Sequence, residues 1–202
     1  SNNMFCYQCQ ETAKNEGCTV QGVCGKTEDT ANAQDLLVYV TKGLAEVVNR
    51  IGDDNEKVYD RISNNLFVTI TNANFDKDAI MKVVKETIKM KDELIEKLDN
   101  KDNLSEIALY SSLDDKELER KAIEVGVLNT MNEDERSLVE LTTYGLKGMA
   151  AYNHHANVLG YRDKEVDRFI AHALEETTKS DKEVKSLIDL VMDTGSHGVK
   201  AM

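Results

Sequence analysis

The chain has 202 residues, no proline and no tryptophan, and its 25 basic and 37 acidic side chains give a formal net charge of −12. A chain of this length can bury a core without cross-links, and its negative charge disfavours nucleic acid and anionic membranes as partners. Because it has neither a run of about 18 apolar residues nor a secretory signal pattern, we expect a cytoplasmic protein whose thiols stay reduced.

Aromatic residues make up only 5% of the chain, and abundant Lys, Glu, Leu, Ala and Asp favour helix over sheet. The composition therefore predicts an all-α fold. All four cysteines lie in residues 1–30, which we predict to form an N-terminal cysteine loop that binds a metal cluster. Two three-helix bundles are expected to follow, over residues 31–100 and 101–202.

The first predicted helix runs from about Ala31 to Arg50, because apolar residues recur there at three- and four-residue steps. Thr27 or Thr30 is the expected N-cap. We expect Gly52-Asp53-Asp54 to end this helix and to cap a second one, which contains Val58 to Ile70.

A third helix is predicted to begin near Asp76, and the polar stretch Asp99–Asp115 is expected to be a loop. Gly160 is the expected stop of a long helix in the second half. The second half is predicted to begin with a short helix, and the apolar pattern does not decide whether that helix belongs to the first or the second bundle. The helices predicted there span about Asp115–Val125, Asn132 or Asp134–Leu159, Arg162–Thr178 and Asp181–Thr194.

The four cysteines, Cys6, Cys9, Cys18 and Cys24, have the spacing C-x2-C-x8-C-x5-C. The two longer gaps fit a structural zinc site poorly, and disulfides would need an oxidising compartment. An iron–sulfur cluster needs four converging thiolates, and the glycines of this stretch let backbone amides approach the sulfur atoms. The spacing favours an iron–sulfur cluster with all four cysteines as metal ligands, and zinc and disulfides remain alternatives.

The cysteines stand in a specific context, MFCYQCQET followed by GCT and GVCGK. This wording closely resembles the start of the hybrid-cluster proteins, also called prismane proteins or hydroxylamine reductases. Residues 69–75, 132–138 and 145–152 are also similar to the N-terminal helical domain of that family. The resemblance covers essentially the whole chain.

The resemblance implies an oxygen-sensitive oxidoreductase of anaerobes that reduces hydroxylamine to ammonia and water and is linked to nitric oxide or nitrosative stress. It implies that Cys6, Cys9, Cys18 and Cys24 hold a 4Fe-4S cluster, which an aerobic preparation can lose and which takes electrons from a donor protein. The alternative function is a helical protein-interaction module stabilised by zinc.

The resemblance also implies that the reaction centre lies elsewhere. Family members carry a hybrid iron–sulfur–oxygen cluster on two later α/β domains, whereas this chain has no cysteine after Cys24. We therefore expect an N-terminal fragment without catalytic residues of its own. Its predicted role is electron transfer to the missing α/β domains of the parent chain, and the fragment alone is expected to be inactive on hydroxylamine.

Two further features could suggest metal sites. His154 and His155 are adjacent in a predicted helix and point about 100° apart, so with His172 we interpret them as surface or capping residues. The acidic pairs Asp53-Asp54 and Asp114-Asp115 stand where helices are predicted to begin, which favours capping over calcium binding.

Overall fold

The computed structural model describes residues 27–71, 76–131 and 137–179. Within these ranges the chain forms seven α-helices and no strand, which confirms the predicted all-α class. The cysteine loop and the helix predicted over Asp181–Thr194 lie outside the described residues. The helices are α1 (Glu28–Ile51), α2 (Glu56–Val68), α3 (Lys77–Glu96), α4 (Glu106–Leu109), α5 (Asp115–Met131), α6 (Ser137–Val158) and α7 (Lys164–Glu176).

Several helix ends follow from local side-chain chemistry. Thr27 caps α1 and Asp76 caps α3, each accepting a hydrogen bond from a backbone N–H three residues later. Gly52 ends α1 with φ +79°, and Gly160 follows α6 with φ +86°. Glycine adopts these left-handed conformations without a Cβ clash. The expected cap at Thr27, the expected stops at Gly52 and Gly160 and the expected start of a helix near Asp76 are confirmed.

Other helix ends differ from the prediction. Asn55 caps α2 by accepting a hydrogen bond from the backbone N–H of Val58 at 3.2 Å, so the expectation that Asp53 or Asp54 caps this helix is wrong. The predicted loop Asp99–Asp115 contains the short helix α4, and α5 continues six residues beyond Val125. Helix α4 forms where Lys91 of α3 binds the Ala108 carbonyl, so at this helix a contact distant in sequence overrides the local pattern.

Helix α1 lies at the centre of the fold and contacts α2, α3, α4, α5 and α7. Leu36 and Val40 of α1 share one apolar cluster with α3 and α5, and Leu44 and Val48, nearer its C-terminus, share another with α2, α6 and α7. Helices from both sides of residue 100 thus share each apolar cluster, and the division into bundles over 31–100 and 101–202 stays a prediction. No helix in the described ranges is long and apolar enough to cross a membrane.

Helix α4 packs on α1 at Gly43 and is bound to α3 by the buried ammonium of Lys91. The Lys91 side chain is 2% exposed, and its Nζ donates hydrogen bonds to the carbonyl oxygens of Ala108 at 2.7 Å and Tyr110 at 2.5 Å. Burial lowers the pKa of Lys91, while its ion pair with Asp92 opposes that shift. A Cβ added to Gly43 would lie only 2.8 Å from the backbone oxygen of Ile107, so α4 packs directly on the α1 backbone.

The contact at Gly43 yields a stability prediction. A helical Gly→Ala change usually stabilises by up to about 1 kcal/mol, but at Gly43 we expect the new methyl to displace α4 and to lower the free energy of unfolding by about 1–3 kcal/mol. Gly148→Ala in α6 is the matched control, because a Cβ there meets no atom within 4 Å. Urea unfolding measures the free energy of unfolding of both variants. Equal effects of the two substitutions would contradict the tight α1–α4 contact.

Candidate functional site

The predicted ligands Cys6, Cys9, Cys18 and Cys24 lie outside the described residues, so their role as metal ligands stays a prediction. Their attachment to the fold is nevertheless defined by the sequence. Cys24 stands three residues before Thr27, the N-cap of α1. The cysteine segment therefore leads directly into the N-terminus of the central helix.

The start of α1 is fixed against its neighbours. Asn32 in its second turn has its side-chain oxygen against Gly126 of α5, where a Cβ would clash with it. Lys77 at the start of α3 forms an ion pair with Glu119 of α5 at 3.0 Å. Because α3 and α5 also pack on the apolar face of this half of α1, the cysteine segment joins the fold where three helices meet.

The donor set of the cysteine segment fits an iron–sulfur cluster. Four thiols in one short segment are the donor set that full cysteine ligation of such a cluster requires. Across 27–71, 76–131 and 137–179, no group of three or more His, Cys, Asp or Glu side chains is arranged to hold a metal ion.

The histidines of α6 pack against an aromatic ring. The imidazole of His154 stacks on Phe67 with ring centroids 5.2 Å apart, and that of His155 meets the same ring edge-on at 5.7 Å. His172 is exposed on α7. His155 and His172 are exposed, as the surface interpretation expects, whereas the half-buried His154 packs on an aromatic ring.

The two acidic pairs have different roles. Asp114 precedes α5 and accepts a hydrogen bond from the backbone N–H of Glu117 at 3.0 Å, which confirms the capping interpretation there. Asp54 instead accepts hydrogen bonds from the Arg168 guanidinium, with an Nε–Oδ1 distance of 2.8 Å, and from the Tyr59 hydroxyl at 3.2 Å. It joins the turn after α1 to α7.

These hydrogen bonds shift the pKa values of Asp54 and Tyr59. The hydrogen bond from Arg168 is the main cause that lowers the pKa of Asp54 to about 2. Burial, and then the hydrogen bond to Asp54, raise the pKa of Tyr59 to about 12. The carboxylate of Asp54 is therefore the form that the fold stabilises.

A second polar network, which the sequence did not reveal, joins α2, α6 and α7. The buried Asp167 accepts hydrogen bonds from Arg162 at 2.6 Å and from the Asn153 amide at 2.8 Å, and Asn153 also donates to Ser63 at 3.1 Å. Burial raises the pKa of Asp167, and both donors oppose that shift. No short-range signal marks Asp167 as buried, because its partners come from other helices or from the preceding turn.

The chain is similar in sequence to a known protein family along nearly its whole length. A family profile described as "Prismane/CO dehydrogenase family" matches residues 4–202. The chain is 50% identical over 203 residues to a hydroxylamine reductase of Bacteroides thetaiotaomicron, which covers 99% of this chain and 37% of that protein. A hydroxylamine reductase of Clostridium perfringens is 48% identical over 209 residues, with 99% of this chain and 38% of that protein covered.

A third relative, a hydroxylamine reductase of Desulfovibrio desulfuricans, is 47% identical over 206 residues, which span all of this chain and 38% of that protein. The chain belongs to the Prismane/CO dehydrogenase family. It spans 37–38% of the length of these curated relatives.

The Asp54–Arg168 pair predicts a defined pH dependence of stability. Because the folded-state pKa of Asp54 is about 2, below its usual value of 3.8, the carboxylate contributes fully above the usual value and loses its contribution as the pH falls toward 2. We expect the difference in unfolding free energy between the native chain and Asp54→Asn to be constant near neutrality and to shrink below about pH 4.

Denaturant unfolding over this pH range measures the effect. Asp53→Asn, which removes an exposed carboxylate from the same turn, is the matched control. If Asp54→Asn and Asp53→Asn gave the same pH profile, the ion pair with Arg168 would not be the cause.

Proposed function

We propose that this chain is the part of a hydroxylamine reductase that holds a 4Fe-4S cluster on Cys6, Cys9, Cys18 and Cys24 and passes electrons toward a reaction centre in the rest of that protein. The observation that carries the proposal is the four-thiol segment at the start of a chain whose relatives along its whole length are named hydroxylamine reductase. Family membership supports an iron–sulfur cofactor in this segment.

The chain's own contribution is to bind and to anchor. The thiolates of the four cysteines are the ligands, and Gly17, Gly22 and Gly25 allow backbone N–H groups to approach the sulfur atoms. When bound, the cluster supplies one-electron transfer at a potential set by its charge, hydrogen bonds and exposure. Attachment to the buried helix α1 gives the segment a rigid support, which favours a fixed distance to an electron acceptor.

The whole protein's substrate and partners follow as further parts of this proposal. Hydroxylamine is the substrate favoured by the relatives' names, and nitric oxide is a second candidate. The partners are an electron-donor protein and the α/β domains that carry the reaction centre. The need for reduced thiols favours the cytoplasm as the compartment.

The cluster proposal predicts the metal content of the chain. Prepared without oxygen, it should be brown and contain about four irons and about four sulfides per chain, with an electron paramagnetic signal after reduction. Cys18→Ser should lose most of this iron, because oxygen replaces one thiolate ligand. Thr19→Ser, which changes the neighbouring residue and no thiol, is the control and should retain it.

A colourless anaerobic preparation would contradict the cluster. If that preparation retained zinc and unfolded on addition of EDTA, the alternative of a zinc-stabilised protein-interaction module would replace the proposal.

A second prediction separates electron transfer from catalysis. The chain with its reduced cluster should not turn over hydroxylamine, because it offers no cysteine after Cys24 for a further cluster. The assay follows the oxidation of a reduced viologen dye on addition of hydroxylamine, with the complete Bacteroides thetaiotaomicron relative as the positive control. Turnover by this chain at the rate of that relative would show that the reaction centre lies within residues 1–202.

A further inference from the structure

We propose that a groove between α2 and α6 binds a small organic molecule carrying an oxyanion, either a carboxylate or a phosphate. The proposal rests on the described helices alone and does not depend on the cysteine segment. The groove has a cavity volume of about 530 Å³, which lies within the range of about 300–1,000 Å³ typical of small-molecule sites.

One wall of the groove is a single face of α2. Lys57, Arg61 and Asn64 line it at positions i, i+4 and i+7, which lie above one another on a helix. The opposite wall is α6, with His154 and Val158 four residues apart. The groove therefore has a wall of polar hydrogen-bond donors and a wall that is partly apolar.

The donors of the α2 wall are largely unengaged. Among the described residues, neither the exposed ammonium of Lys57 nor the amide of Asn64 has an ion pair or hydrogen-bond partner. Arg61 makes one ion pair, with Glu86 at 3.5 Å, which leaves most of its guanidinium N–H groups free for a ligand. These groups can donate several hydrogen bonds, two of them from charged side chains.

The acidic side chain in the groove is already neutralised. Asp60 forms an ion pair with Arg162 and accepts a 3.4 Å hydrogen bond from the Asn157 amide. Arg162 also forms an ion pair with Asp167 at 2.6 Å and lies 3.8 Å from Glu56. Arg162 is therefore fully engaged with carboxylates of its own surroundings. What remains for a ligand is the donor set of Lys57, Arg61 and Asn64, which complements an acceptor-rich anion.

Size and polarity favour a free small molecule over an isolated inorganic ion. The half-buried Met90 of α3 and the exposed Val158 of α6 add apolar surface next to the donors, where a short carbon skeleton can pack. The chain as a whole carries a net charge of −12, so long-range attraction does not draw anions to it. Binding must come from the local donors, which makes it sensitive to single substitutions.

The test is a titration of the chain with succinate and, separately, with the organic phosphate glycerol 3-phosphate at constant ionic strength, followed by NMR. We expect one saturable site with shifts confined to α2, α6 and the α3 residues near Met90. The tighter-binding probe tells whether the site prefers a carboxylate or a phosphate. Lys57→Gln and Arg61→Gln should each weaken binding about tenfold, because each removes a charge-assisted hydrogen bond.

Lys116→Gln is the matched control. It removes one exposed charge from α5, which forms no wall of the groove, and should change binding less than about twofold. Lys57 and Lys116 are both exposed, so neither substitution is expected to disturb folding, which circular dichroism checks. No saturable binding of either probe, shifts outside the groove, or equal weakening by Lys57→Gln and Lys116→Gln would each overturn the proposal.

Discussion

Burial of α1 on several sides is the constraint on which the rest of the fold depends. A helix that packs against five others must place small or apolar residues around its circumference and must satisfy the polar groups that it buries. Thr41 donates to the Leu37 carbonyl at 2.6 Å and accepts a hydrogen bond from Asn65 of α2, which also donates to Thr87 of α3. These buried bonds fix how α2 and α3 lie on α1.

The same helix relates the core to the proposed cofactor site. Cys24 stands three residues before Thr27, the N-cap of α1, so whatever the cysteines bind lies close in sequence to the start of the central helix. At its other end α1 is tied to α7, where Asn49 donates to the Ala171 carbonyl at 3.0 Å and to Glu175 at 2.8 Å. A rigid central helix is a suitable support for electron transfer over a fixed distance, as the proposed function requires.

Local patterns were sufficient to predict the class of fold and several helix ends. The caps Thr27, Asp76 and Gly160 act within a few residues of themselves, so their neighbours in sequence determine them. Helix α4 could not be predicted, because its four residues are held by the Lys91 ammonium and by close packing on Gly43.

The cysteine spacing is also local, which is why the sequence suggests a metal site there, and the ligand role of those residues is still a prediction. The capping role predicted for Asp54 is wrong because its partner Arg168 lies 114 residues away, beyond the reach of a local pattern.

The central claim is that one iron–sulfur cluster on four cysteines is anchored to the start of α1. Mössbauer spectroscopy of the chain, grown with iron-57 and kept free of oxygen, tests it most directly, because the spectrum reports the ligands and oxidation states of all the bound iron. The account predicts that nearly all the iron belongs to one type of cluster with sulfur ligands throughout. A spectrum of isolated iron with nitrogen or oxygen ligands, or a protein without bound iron, would contradict it.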